Sequence, residues 1–104
     1  MFPQRQRINS REFKIILKKG QKKFSPFFRA RFVNEVPTAK VAVVIPKKII
    51  KKRYERNRLK RRISHMGKKL VLNHTEPVHT IIWLQKPIEN LSNQEILSEL
   101  KKIL

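Results

Sequence analysis

Between Lys47 and Lys69, twelve of twenty-three residues are Lys or Arg and a single residue, Glu55, is acidic. A surface helix laced by ion pairs carries acids three or four residues from its bases, and here only Glu55 is available to pair with the cations. Such a segment repels itself. It persists as ordered structure only where the fold buries one face and a polyanion neutralises the other, so it constrains architecture and partner together. Its centre, Arg56-Asn57-Arg58-Leu59-Lys60-Arg61-Arg62-Ile63, reads as a helix facing nucleic acid. Leu59, Ile63, Met66 and Leu70 fall on one helical stripe, whereas Ile49 and Ile50 do not share it. The helix is therefore expected to start near Arg53, with residues 47–52 as a connection. Gly67 is expected to weaken or end its last turn, at about 1 kcal/mol relative to Ala.

The whole chain repeats the imbalance on a larger scale. Its 104 residues, 26 basic against 7 acidic for a net charge of +19, suffice for one domain with one core, read as spanning 1–104. Residues 1–69 hold 23 of the bases and 3 of the acids, so the last third is not expected to be a main contact surface. RNA, DNA and an anionic membrane would all satisfy that charge. The absence of cysteine excludes disulfides and thiolate metal sites. Without an apolar stretch near 18 residues or an apolar N-terminal signal, the expectation is a soluble, intracellular protein.

Outside the basic run the periodicities alternate between helix and strand. Asn9 is placed to cap a helix over Ser10–Lys19, with Glu12 completing a capping box and Gly20 stopping it. Phe13, Ile16 and Leu17 share its apolar face. From Phe27 to Val33 a period of two puts Phe28, Ala30 and Phe32 on one side and Phe27, Arg29, Arg31 and Val33 on the other. Asn34–Pro37 reads as a turn joining this strand to an adjacent one. Lys40–Ile45, an almost continuous β-branched run stopped by Pro46, has the pattern of a central strand covered on both faces. Val78–Leu84 is a further strand, and Ser92 with Glu95 opens a helix whose apolar side is Ile96, Leu97, Leu100, Ile103 and Leu104. The order helix, strand, strand, basic helix, strand, helix specifies an α+β sheet partly covered by helices.

Catalytic groups are not evident. The seven acids are scattered, His65, His74 and His79 have no ligand spacing, and the two glycines, Gly20 and Gly67, make no phosphate loop. The chemistry that remains is binding. Arg56, Arg58, Arg61 and Arg62 are the first candidates for phosphate, because the planar guanidinium binds it in bidentate fashion. Asn57, a mediocre helix former, either hydrogen-bonds RNA or the neighbouring backbone, or merely tolerates exposure. The strand side bearing Phe27, Arg29 and Arg31 is a second candidate surface, where single-stranded bases stack and the arginines neutralise phosphate. Burial of Phe27 under a helix is the competing reading, as core packing is for Phe13 and Leu17. A membrane-surface helix would carry Trp on its apolar face, but the single tryptophan, Trp83, falls in a strand.

Three segments in order, Arg7 to Phe13, Val41–Ile45 leading to Lys47-Lys48, and Arg56-Asn57-Arg58-Leu59-Lys60-Arg61, carry a resemblance over nearly the whole chain. The chain resembles the bacterial ribonuclease P protein component. The resemblance implies an α/β sandwich, a small mixed sheet flanked by helices of the ribonuclease P protein and ribosomal S5 domain 2-like type. Its β-α-β crossover through the basic helix would be left-handed, against the usual rule. The implied partners are ribonuclease P RNA and precursor tRNA, with no DNA and no membrane, in the cytoplasm. The RNA, using magnesium ions, would remove the 5′ leader, and the protein would count as an enzyme only as a subunit of that endonuclease. Site residues follow by position: Lys47, Lys48, Lys52, Arg56, Asn57, Arg58, Lys60 and Arg61 toward the catalytic RNA, and Phe13, Leu17, Arg31, Ala42 and Val44 in a cleft for the leader. Leu17 stands where an aromatic is common, and Arg31 where a Tyr can occur. Ser64 stands where a further Arg is often found. An rRNA-binding ribosomal protein, equally small and basic, is the alternative reading.

Overall fold

The computed structural model describes residues 8–72, 76–88 and 91–104; Arg7 and His74 lie outside the described residues. Three helices and four strands follow the chain as α1 (Ser10–Lys19), β1 (Gln21–Phe24), β2 (Phe28–Val33), β3 (Lys40–Val44), α2 (Arg53–Leu72), β4 (His79–Leu84) and α3 (Asn93–Lys101). Both capping boxes form as expected. Asn9 Oδ1 accepts from the Glu12 amide at 2.9 Å, and Ser92 Oγ from the Glu95 amide at 3.2 Å, each Glu returning the bond. These caps satisfy amides that the first helical turn leaves without partners.

The strand order is β1-β2-β4-β3, with β3 and β4 parallel and the other pairs antiparallel. Two expectations are corrected here. The strands flanking the 34–37 turn are not neighbours, because β4 lies between them, and Lys40–Val44 is an edge strand. The fully covered strand is β4, where five of six residues are buried. In β3 burial alternates, Val41 and Val43 inward with Ala42 and Val44 half-buried. A continuous β-branched run does not distinguish these cases, because Ala42 and Val44 face a side of the sheet that α1 covers only in part. The strand β1 was not expected at all. Its sequence, Gln-Lys-Lys-Phe, is exposed throughout and has no apolar period; backbone pairing with β2 makes it a strand.

The core lies between one side of the sheet and α2 with α3. Phe28, Ala30, Val41, Val43, Ile82 and Leu84 meet Leu59, Ile63, Val71, Ile96, Leu100 and Ile103. The helix α2 runs through Gly67 to Leu72 rather than stopping there. Gly67 is buried, and a Cβ on it would stand 3.3 Å from Ile82 Cδ1 and 3.6 Å from Val41 Cγ1. The missing side chain thus allows a close approach of helix to sheet, and tertiary contact outweighs the propensity cost. Ser64 is buried as well, a position where a long cation would lose its hydration. Residues 47–52 are a connection, as read, yet Ile50 is buried and Ile49 packs on the core from it. Among the described residues no helix is long and apolar enough to cross a membrane.

Candidate nucleic-acid interface

The basic run divides by helical geometry. At 3.6 residues per turn, positions two apart point about 200° away from each other, so Arg56 and Arg58 leave α2 on nearly opposite sides. Arg58 is exposed, as are Asn57, Arg61 and Arg62, and with Tyr54 and His65 they form the outward face. Arg56 and Lys60 lie at the margin of the buried stripe and are half-buried. Arg56 Nη1 donates to the carbonyls of Ile50 at 2.9 Å and Lys51 at 2.7 Å, tying the start of the helix to the connection before it. Arg62 donates to Asn93 Oδ1 at the start of α3. The Arg61 Nε bond to the Asn57 carbonyl, at 3.5 Å, is long. Lys47, Lys48 and Lys52 are exposed on the connection, with the Lys52 ammonium 5.9 Å from the Tyr54 ring centroid. The cationic set expected to face RNA therefore splits into free cations on the outward side and two arginines that also hold the fold.

The second surface is the side of the sheet that α1 crosses. Strand register places Arg29, Arg31, Ala42, Val44, His79, Ile81 and Trp83 on this side. The helix α1 is fastened over it at three points. Ile16 is fully buried beneath it. Near its start, both Glu12 carboxylate oxygens accept from Lys40 Nζ, at 3.0 and 2.9 Å, and His79 Nδ1 lies 3.7 Å away. Near its end, Arg31 Nη1 donates to the Leu17 carbonyl at 2.6 Å, one of the carbonyls a helix terminus leaves open.

These ties set the local electrostatics. Partial burial acts to raise the Glu12 carboxyl, but the Asn9 amide, the Lys40 ammonium and His79 together hold it below its ordinary range. Burial pushes the His79 imidazole below its ordinary value, against the pull of Glu12 and with the help of Lys40. Its Nε2 is buried without a hydrogen-bond partner.

The expected cleft residues are mostly brought to this side of the sheet. Phe13 is half-buried and meets Trp83 edge-on, the ring centroids 6.4 Å apart at 70°. Arg29 lies over the Trp83 ring with its guanidinium carbon 4.7 Å from the centroid. Ala42 and Val44 are half-exposed on the same side. Arg31 is engaged by α1, and Leu17 turns outward, 41% exposed on a patch with Arg11, Lys14, Ile15 and Lys18. Phe27 precedes the strand and packs on the core cluster, so the period-two alternation holds only from Phe28 onward. Trp83 was not expected in this site. Both sides of β4 are apolar, so its sequence does not show which residues share a side with Phe13; only the register does.

Comparison with known proteins gives this arrangement a lineage. A ribonuclease P family model matches residues 2–104. By sequence alone no curated protein matches the chain. Among solved structures, the ribonuclease P protein of Staphylococcus aureus superposes with a TM-score of 0.77 at 23% identity, over 94% of this chain and 91% of that one. The ribonuclease P protein of Thermotoga maritima superposes at 0.75 and 20% identity, over 88% and 86%. Both share the mixed four-stranded sheet with three helices, and the family match gives no support to the ribosomal alternative. A nearly full-length family match, on a fold that sets a cationic helix apart from an aromatic sheet face, means that the chain belongs to the ribonuclease P protein family, the RNA-binding protein subunit of a tRNA-processing ribonucleoprotein.

Proposed function

We propose that this single domain docks on ribonuclease P RNA through the outward side of α2 and its preceding connection, and holds the 5′ leader of precursor tRNA on the sheet face beside α1. Cleavage of the leader is assigned to the RNA with magnesium ions, in the cytoplasm, with the protein raising substrate affinity and lowering the magnesium requirement. The observation that carries this reading is the separation of the two surfaces. Exposed Lys47, Lys48, Lys52, Arg58 and Arg61 are suited to a phosphate backbone. Phe13, Arg29, Trp83, Ala42 and Val44 offer rings, a cation and small side chains to a single strand.

The residues described do not fit a magnesium site. Glu12 is neutralised by Lys40, and no group of three or more His, Asp or Glu side chains converges among the described residues. The reading therefore routes no step through a metal on this chain and leaves magnesium to RNA phosphates.

Reconstitution tests it. Adding the protein to a bacterial ribonuclease P RNA should speed cleavage of precursor tRNA at low magnesium and favour precursor over mature tRNA in binding. Unchanged cleavage with unchanged binding would refute it.

A further inference from the structure

Residues facing the α1 side of the sheet form rows across the strands, and one row is unlike the others. Phe24 on β1 is the cross-strand partner of Arg29, Arg29 of Trp83, and Trp83 of Val44. In register, an aromatic residue thus stands on either side of Arg29. Directly opposed residues on a sheet have Cβ atoms about 5 Å apart, within reach of such side chains. The Trp83 ring has two partners, the Arg29 guanidinium over it at 4.7 Å and the Phe13 ring in a T-shaped contact at 6.4 Å. Arg29 Nε is buried without a hydrogen-bond partner, so stacking on Trp83, rather than an acceptor, accounts for its position. A planar guanidinium stacked on a ring retains its second face. On the far side of Arg29, Phe24 is 62% exposed on the edge strand, and nothing described in the fold requires a phenylalanine there.

The charge around this row matches a polyanion. Lys22 lies on the same side of β1, opposite Arg31, and is exposed. Glu12, the acid that α1 brings to this side, is neutralised by Lys40. A stacking surface that carries one cation, Arg29, and has another, Lys22, beside it suits a nucleobase whose flanking phosphates need neutralising. We propose that Phe24, Arg29 and Trp83 form a stacking subsite for one unpaired nucleobase, with the Arg29 guanidinium backed by Trp83 as its platform and the Phe24 ring closing over it. The base belongs to the single-stranded leader, so the subsite rests on the function proposed above. It assigns this chain's leader contact to the β1-β2-β4 end of the sheet, complementing the position of Leu17, whose side chain supplies no ring.

Trp83 is the single tryptophan, so its emission reports on this row. The full chain is titrated with a pentaadenylate RNA and with an abasic strand of equal length and charge. Stacking predicts quenching by pentaadenylate and about five- to tenfold tighter binding than the abasic strand, the low end for one stacked base. Phe24→Ala and Arg29→Lys should each remove that difference, and the Lys variant keeps the charge. Phe24 is exposed, so its variant should melt with the parent. In the complex with ribonuclease P RNA, Phe24→Ala should lower affinity for leader-bearing precursor about fivefold and leave mature tRNA unaffected. Equal binding of the two strands, or a difference that survives either substitution, overturns the subsite. If the parent protein favours precursor over mature tRNA and both variants do so equally, the subsite alone fails. If the parent shows no such preference, the function it rests on fails with it.

Discussion

Arg56 and Arg58 belong to one sequence motif, yet the structure predicts opposite consequences for their loss. Replacing Arg56 with Ala removes two charge-assisted hydrogen bonds, one to the part-buried Ile50 carbonyl and one to the exposed Lys51 carbonyl. A bond to a charged group contributes about 1.5–3 kcal/mol when shielded and much less when solvated, so the pair contributes roughly 2 kcal/mol. Against this, Arg56 sits in the first turn of α2, where the helix dipole and Arg53 and Lys60 repel it, and its removal returns about 0.5 kcal/mol. The net loss is about 1.5 kcal/mol, which for a domain of this size lowers Tm by roughly 6–12 °C. Arg58 has no hydrogen bond or ion pair among the described residues and stands three and four residues from Arg61 and Arg62. Arg58→Ala should leave Tm unchanged or slightly raised. In binding to ribonuclease P RNA, Arg58→Ala should reduce the slope of log K against log salt by about one, the signature of a lost phosphate contact. Arg56→Ala should weaken binding as well, because Lys47, Lys48 and Lys52 lose the anchor of their connection. Thermal melts and salt-dependent binding on the two variants separate the roles. Equal melting temperatures for Arg56→Ala and the parent, or an unchanged slope for Arg58→Ala, would refute the division of the motif.

Three further outcomes follow from other parts of the fold. Phe13→Ala should lower Tm, through the lost Trp83 contact, and also reduce the preference for precursor over mature tRNA; a loss of stability with full preference retained would make Phe13 core alone. Acidification should destabilise the protein in two stages. His79 is held below its ordinary value near 6.5, so its contribution is complete above that pH and is lost as pH falls beneath it. Glu12, below 4.5, adds a loss at lower pH, and a denaturant titration of Glu12→Gln should lack that second stage. Gly67→Val should cost about 1–3 kcal/mol by crowding Ile82 and Val41, whereas Gly67→Ala, gaining helix propensity against a movable Ile82 methyl, should stay within about 0.5 kcal/mol in chemical unfolding.

What the sequence made legible depended on local physics. Capping boxes at Asn9 and Ser92 are chemical signals confined to four residues, and both helices begin where those signals lie. The start of α2 near Arg53 was likewise readable, because its apolar stripe phases only from there. What failed were statements about neighbours. β1 has no amphipathic period, and the turn after β2 gives no hint that β4 inserts between β2 and β3. Propensity is a local quantity, whereas the role of Gly67 is set by Ile82 and Val41 across the interface. The bonds of Arg56 and Arg31 to backbone carbonyls are likewise invisible in the sequence, which shows only their charge.

So basic a chain folds because its apolar and cationic residues are segregated by side. Its core occupies one side of the sheet, and α2 supplies that core with a stripe of Leu and Ile while its cations line the remainder of the helix. The other side is covered by one short helix, fastened by Glu12 to Lys40 and by Arg31 to the Leu17 carbonyl. Two cations thus balance an acid near the start of α1 and an open carbonyl near its end. One row along the strands from Arg31, this side of the sheet continues as Arg29, Trp83 and Val44, with Ala42 in the Arg31 row, and Ala42 and Val44 remain half-exposed. Removing the two fastenings would leave α1 held by Ile16 and Phe13. The placement of charge at the two ends of α1 is therefore what allows one small domain to keep a core on one side of its sheet and an open surface on the other.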